Sequence, residues 1–517
     1  MADTPQPTSD QVVTIPAALR AAAAALPQHP AYVEDGTTTT FTQLHERVRD
    51  VARAYVAAGL QPGEAVVVWA PNSVEWVVAA LATTYAGGVL VPANSRYVGH
   101  EVAELVDRTR ARIVVVLDGF LGRTQVADLR AASSLDSVSK VVDLAALDEL
   151  IATGTDVPLH EIEARADAVS GDDVADILFP SGTTGTPKGA MSGHRQSVGV
   201  ARAWGNIGGV RSDDRYLVVN PFFHSFGYKV GILTGLLTGA TLYPMATFDA
   251  AGLMRIIESE RISVLPGAPT IFTSILTASD RDQFDLSSLR LSVTGAASVP
   301  VVLIERMRAA APEGLGIDQV VTAFGMTEAV VATMCRGDES AETVATTCGR
   351  AIPGMQTRIA EETGELLLRG DYVMLGYLDD PAATAEAIDE DGWLHTGDVG
   401  VLDEDGNLTI TDRIKDMYIS GGFNVYPAEI EQALSRLDGV VEAAVVGVPD
   451  DRMGEVGRAY VVRNNGITAE DVIAHAKSRL ANFKVPREVE FIDVLPRNLS
   501  GKVLKNDLRA ARGQEDS

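Results

Sequence analysis

The stretch FPSGTTGTPKGAM, residues 179–191, crowds hydroxyl side chains, glycines and a single lysine into one short loop. Glycine lacks a Cβ and lets backbone approach a ligand closely. Hydroxyls and free N–H groups can then wrap a phosphate chain, and Lys188 adds positive charge. The run DILF at 176–179 reads as a strand feeding the loop. A Gly/Ser/Thr stretch alone reads as well as a surface linker, but TPKG straight after a buried-looking strand favours a phosphate cradle. It is not a Walker A loop, which needs G-x-x-x-x-G-K-[ST]. Pro187 precedes Lys188 and Gly189 follows it. Pro180 offers neither hydroxyl nor N–H and biases Phe179 toward an extended conformation.

Further blocks follow in order: GAA (295–297), TAFGMTEA (322–329), WLHTGD (393–398), DRIKDMYISGGFNVYPAEIE (412–431) and PRNLSGK (496–502). Together with SGTTGTPKG they resemble the adenylate-forming superfamily of acyl-CoA synthetases, luciferases and peptide-synthetase adenylation domains. The resemblance spans nearly the whole chain. Relatives usually carry threonine or serine where Pro180 stands. Phosphate contacts are therefore expected from Ser181, Gly182, Thr183, Thr184, Gly185 and Lys188, with Pro180 left out.

The resemblance implies a two-step reaction. A carboxylate attacks the α-phosphate of ATP, pyrophosphate leaves, and coenzyme A then takes the acyl group. Bringing anions together needs cations. Glu328, a hard oxygen ligand suited to Mg²⁺, takes the metal together with Thr184, and Thr327 contacts phosphate. Gly295, Ala296 and Ala297 leave room for the base. Ala323, Phe324 and Gly325 are expected beside the adenine, with the Phe324 ring against it. Asp398 and Arg413 are matched to the ribose and phosphate. Lys502 enters from a C-terminal domain that rotates about Lys415 and stabilises charge during adenylation; its acetylation would remove that charge. Gly421 and Gly422 line the passage for the thiol arm of coenzyme A. His224 is expected at the inner wall of the acyl pocket, with Gly267 and Ala268 nearby. Lys229 reads two ways, as a donor to a polar group of the substrate or as a side chain snorkelling to solvent.

NPFFHSFGYKVGIL (220–233), LPGAPTIF (265–272) and VTGAASVPVVLIERM (293–307) narrow the resemblance. They are similar to ligases that activate the methylhexahydroindanedione propanoate left from steroid rings C and D, which implies a bulky bicyclic keto-acid and a role in steroid breakdown. A medium- or long-chain fatty acyl-CoA ligase and an enzyme loading a separate carrier protein are the alternatives. A non-catalytic relative would be expected to lack Lys502, Glu328 or Asp398, and all three are present.

These residues need rigid elements to hold them. EVAELVDRTRAR then IVVVLD (101–118), and LMRIIESERI then SVLPG (253–267), alternate helical and strand periodicity. Such units predict an α/β fold: a large N-terminal domain of parallel and mixed sheets flanked by helices, residues 1–414, and a small, mobile α+β C-terminal domain, residues 415–517. The run VVAALATTYAGGVLVPAN (77–94) is broken by Gly87 and Gly88 and reads as a buried helix followed by a strand, not a membrane span. The net charge of −27 disfavours nucleic acid as a partner. Two cysteines and no basic-then-apolar leader point to the cytoplasm. The expected partner is a small carboxylic acid. A homodimer is carried over from the superfamily, without a mark in the sequence.

Overall fold

In the computed structural model, the apolar runs AVVVW, VLVPA and IVVV become the neighbouring parallel strands Ala65–Trp69, Val89–Ala93 and Ile113–Val116. Every residue of the three is buried, as expected for strands covered on both faces. They lie within a seven-stranded sheet ordered Gly376–Tyr377, Ala190–Gly193, Val174–Leu178, Val89–Ala93, Ala65–Trp69, Ile113–Val116 and Lys140–Asp143. The strand Val174–Leu178 runs parallel to Val89–Ala93, and the two beyond it turn antiparallel. The structure describes residues 11–179, 188–295, 299, 301–413, 416–420, 423–450, 452–464, 466–480, 482–498 and 502–510.

The apolar run at 77–94 forms the helix Val74–Tyr85 and a strand, as expected. Ser73 caps the helix, its hydroxyl accepting the Trp76 N–H at 3.1 Å. Nearly all of this helix is buried, so it is a core helix and needs no polar face. Among the described residues, no helix is long and apolar enough to cross a membrane.

A second sheet carries the strands Thr37–Thr40, Pro30–Glu34, Thr241–Pro244 and Arg215–Val218 in that order. Residues 263–267 continue it by single bridges rather than as a full strand. Leu217 donates to the Val264 carbonyl at 3.0 Å, and Leu265 and Gly267 donate to Leu291 and Val293 at 3.0 and 2.9 Å. The strands Leu291–Thr294, Gln319–Met326, Ala329–Met334 and Arg350–Ala351 complete the layer.

The mixed character of the N-terminal sheets is plainest over residues 355–413. There Met355–Ile359, Glu365–Gly370, Leu394–Leu402 and Leu408–Arg413 form an antiparallel sheet. Gly364, at φ +70°, makes the tight turn that folds the first two together.

Beyond this the chain builds a separate unit. Val440–Asp450 pairs with Gly454–Arg463, and the helices Pro427–Leu434 and Ala469–Arg479 pack with these strands. Its apolar clusters, among them Tyr418, Ile430, Val445, Val461 and Leu508, draw only on residues 418–508. Pro427 opens its helix at the first helical position, where proline is tolerated.

Candidate active site

Four chain segments end side by side in the second sheet. The pairings Tyr216↔Val264, Gly267↔Thr294 and Thr294↔Thr322 are all parallel, so these segments present their carboxyl ends to one edge. In open α/β sheets this edge is where ligands bind. It gathers Gly267 and Ala268, Gly295, and Ala323 to Gly325. A Cβ on Gly295 would stand 3.0 Å from the Ala323 carbonyl oxygen, so a small residue is needed where these ends meet. Phe324 is partly buried against the main core, beside a bulge that falls between it and Met326. At Gly325 a Cβ would collide with the Val330 carbonyl, so only glycine makes this bulge.

His224 follows the strand Arg215–Val218 at the same edge. Its loop is held from the other sheet by the buried Asn72, whose Oδ1 accepts the Phe222 N–H at 2.7 Å while Nδ2 donates to the Asn220 carbonyl at 3.0 Å. Nothing in the sequence singles out Asn72, because its partner lies 150 residues away. The chain then enters a π-helix, Phe226–Leu233. Gly227 is required there, since a Cβ would strike the Pro221 carbonyl. The His224 side chain is solvent-exposed, yet surrounding protein desolvates it and lowers its pKa. Its Nδ1 accepts the Phe226 N–H at 3.2 Å, which assigns the proton to Nε2. Neutral His224 is thus a donor through Nε2.

The turn between Gln319–Met326 and Ala329–Met334 holds Thr327 and Glu328. Thr327 is half-buried and Glu328 buried. Glu328 accepts the Tyr377 hydroxyl at 2.8 Å, and its carbonyl accepts the Met374 N–H at 2.8 Å. Tyr377 pairs with Ala190 in the antiparallel edge that returns from the phosphate loop. The Lys188 ammonium stands 5.3 Å from the centre of the Tyr377 ring. The basic residue of the loop and the acidic residue of the turn therefore meet on one tyrosine, which sequence reading missed. Burial and then the Glu328 charge push the Tyr377 pKa up, so the phenol stays a donor.

Lys229 corrects the sequence reading. It does not reach solvent; its side chain is 1% exposed. The ammonium donates to Ser192 Oγ at 2.8 Å and lies 3.0 Å from Asp176 Oδ1. Ser197 donates to Asp176 Oδ2 at 2.7 Å. A buried ammonium must be paired, and here the partners come from the two strands that flank the phosphate loop. Lys229 thus ties the π-helix to those strands.

Asp398 is buried and stands opposite Arg413 across the antiparallel strands. Lys502 sits in the C-terminal unit, where its N–H donates to Asn498 Oδ1 at 2.9 Å and its carbonyl accepts the Asn498 N–H at 2.8 Å. The expectations for Pro180, Ser181, Gly182, Thr183, Thr184, Gly185, Ala296, Ala297, Lys415, Gly421 and Gly422 lie outside the described residues, as does the Arg413 side chain.

Comparison with known proteins gives the chain its family. Residues 19–378 match the model of the AMP-binding enzyme family, and residues 429–502 match the AMP-binding enzyme C-terminal domain. The chain belongs to the AMP-binding enzyme family. It is 56% identical over 515 residues, 97% of this chain and 99% of the relative, to 3-[(3aS,4S,7aS)-7a-methyl-1,5-dioxo-octahydro-1H-inden-4-yl]propanoyl:CoA ligase of Rhodococcus jostii (strain RHA1). The ligase of the same name from Mycobacterium tuberculosis is 53% identical over 504 residues, 96% and 98% of the two chains. Among solved structures, ATP-bound MatB from Rhodopseudomonas palustris superposes with a TM-score of 0.87 at 30% identity, covering 97% of this chain and 99% of that one. The Bacillus subtilis O-succinylbenzoate coenzyme A synthetase (MenE), in complex with AMP, gives 0.82 at 26% identity over 95% and 98%.

Proposed function

We propose that this acyl-CoA ligase joins 3-[(3aS,4S,7aS)-7a-methyl-1,5-dioxo-octahydro-1H-inden-4-yl]propanoate to coenzyme A in steroid-ring breakdown. The observation that carries the substrate is the 56% identity along almost the whole length of both chains. ATP and coenzyme A are cytoplasmic metabolites, which supports a cytoplasmic site.

In the first half-reaction a substrate carboxylate oxygen attacks the α-phosphorus, the bond to the β-phosphate bridge breaks, and pyrophosphate leaves. In the second the coenzyme A sulfur attacks the acyl carbon, the carbon–oxygen bond to the phosphate breaks, and AMP leaves. Lys188 offsets phosphate charge at the mouth of the loop, with Ser181 to Gly185 supplying the cradle and Thr327 a further donor. Phe324 lies against adenine, and Asp398 and Arg413 take the ribose. His224 donates Nε2–H toward the acyl group, beside Gly267 and Ala268. Lys502 is delivered by rotation at Lys415, between units 1–414 and 415–517, and steadies charge in the first half-reaction. The second uses the passage at Gly421 and Gly422.

The residues fit Mg²⁺. Glu328 is buried, accepts one side-chain hydrogen bond and makes no ion pair among the described residues. No group of three or more His, Cys, Asp or Glu that could hold a metal occurs among the described residues. One carboxylate with phosphates, water and the Thr184 hydroxyl suits a hard cation carried in with its nucleotide. When bound, Mg²⁺ would neutralise charge between the approaching anions.

The test is pyrophosphate release with ATP and a panel of acids, with and without coenzyme A. Fast turnover is expected on the indanedione propanoate, yielding its thioester. Turnover confined to fatty or aryl acids would overturn the substrate while keeping the chemistry.

A further inference from the structure

We infer that Tyr377 is the positioning residue that sets the cation affinity of the nucleotide site, a role resting on the reading of Glu328 as the Mg²⁺ ligand. Three observations converge. The Tyr377 hydroxyl donates to Glu328 Oε1 at 2.8 Å. Its ring receives the Lys188 ammonium at 5.3 Å. Its backbone is fixed twice over, by pairing with Ala190 and by donation from its N–H to Thr384 Oγ1 at 2.9 Å. The residue is thus a rigid post between the return of the phosphate loop and the acidic turn.

The chemistry follows from Glu328 being a buried carboxylate that forms no ion pair among the described residues. Without a donor, such a group is costly and free to rotate. The hydroxyl holds Oε1 and so directs the remaining lone pairs toward an incoming cation. Partners of this kind orient a ligating carboxylate, and removing them weakens metal binding by about 10- to 100-fold. The ring acts separately. It keeps Lys188 beside the site before ATP arrives, and the phosphates then draw the ammonium away. Hydroxyl and ring therefore govern different constants.

Tyr377→Phe keeps the ring and removes the donor. Mg²⁺ affinity is expected to weaken about tenfold, read as Mn²⁺ binding in the presence of ATP by electron paramagnetic resonance and as the Mg²⁺ concentration for half-maximal pyrophosphate release. Binding of a metal-free acyl-sulfamoyl adenosine should not change. Tyr377→Leu should lose the same affinity and also raise the KM for ATP. Glu328→Gln is measured in parallel. If Glu328→Gln weakens Mn²⁺ binding and Tyr377→Phe leaves it unchanged, the inference is overturned. If neither variant changes it, the reading of Glu328 falls first, and the inference with it. A Tyr377→Phe that loses acyl-sulfamoyl adenosine binding along with the metal would mean that the residue only holds the fold, and would also overturn it.

Discussion

Two lysines flank the same pair of strands, and they live in opposite surroundings. Lys229 reaches the strands Val174–Leu178 and Ala190–Gly193 from within, through Asp176 and Ser192, and is sealed. Lys188 stands where the second strand begins, exposed, with its ammonium over an aromatic face. An ammonium locked to a carboxylate in the core cannot leave without stranding a buried charge. One held by a ring gives up little, since such contacts are weak in water. The difference separates a lysine that fixes the frame from one free to leave its aromatic partner, although both stand near the same strands.

The largest effect should come from the sealed lysine. Lys229→Met leaves Asp176 uncompensated and is expected to cost about 3–5 kcal/mol, seen as a lower thermal midpoint. The double variant Lys229→Met/Asp176→Asn should recover much of that loss, because the stranded charge goes with it. A single variant melting with the parent would break the comparison, since Lys229 would then be no structural tie. Lys188→Met should do the reverse. Its thermal midpoint should stay within an equivalent of about 0.5 kcal/mol, while the KM for ATP rises about tenfold, as for loss of one charge-assisted contact. An unchanged KM would take Lys188 out of the nucleotide site.

The sequence announced Lys188 and hid its setting. Ordered blocks of motif singled out Lys188, the acidic turn and the distant Lys502, and periodicity located the helix Val74–Tyr85. These are local signals. The link from Tyr377 to Glu328 spans 49 residues and the one from Asn72 to Phe222 spans 150, so neither leaves a period or spacing to read. The burial of Lys229 was hidden for a related reason. A lysine among aromatics and glycines looks exposed until the strand carrying Asp176 is folded against it. The antiparallel sheet over 355–413 has a local signal: EETGEL carries a glycine-centred turn between two strands, a hairpin pattern.

The smallest effect lies at His224, on the turn that enters the helix bearing Lys229, and it separates an exposed side chain from the sealed one beyond it. Desolvation holds the His224 pKa below the ordinary 6.5. As pH falls past 6.5 the unfolded chain binds a proton that the native histidine refuses. The stability this residue contributes is therefore full above 6.5 and is lost as pH drops through its native pKa. His45 and His194, both lowered to about 4 chiefly by burial, add slopes of the same sign. His224→Gln should flatten the fall in thermal midpoint between pH 7.5 and 5.5 while leaving the part due to His45 and His194. Pyrophosphate release by the parent should show no inflection from His224 near neutrality, because the imidazole is already neutral with its proton on Nε2. A variant with the parent's full slope would mean that His224 is not desolvated by the surrounding protein.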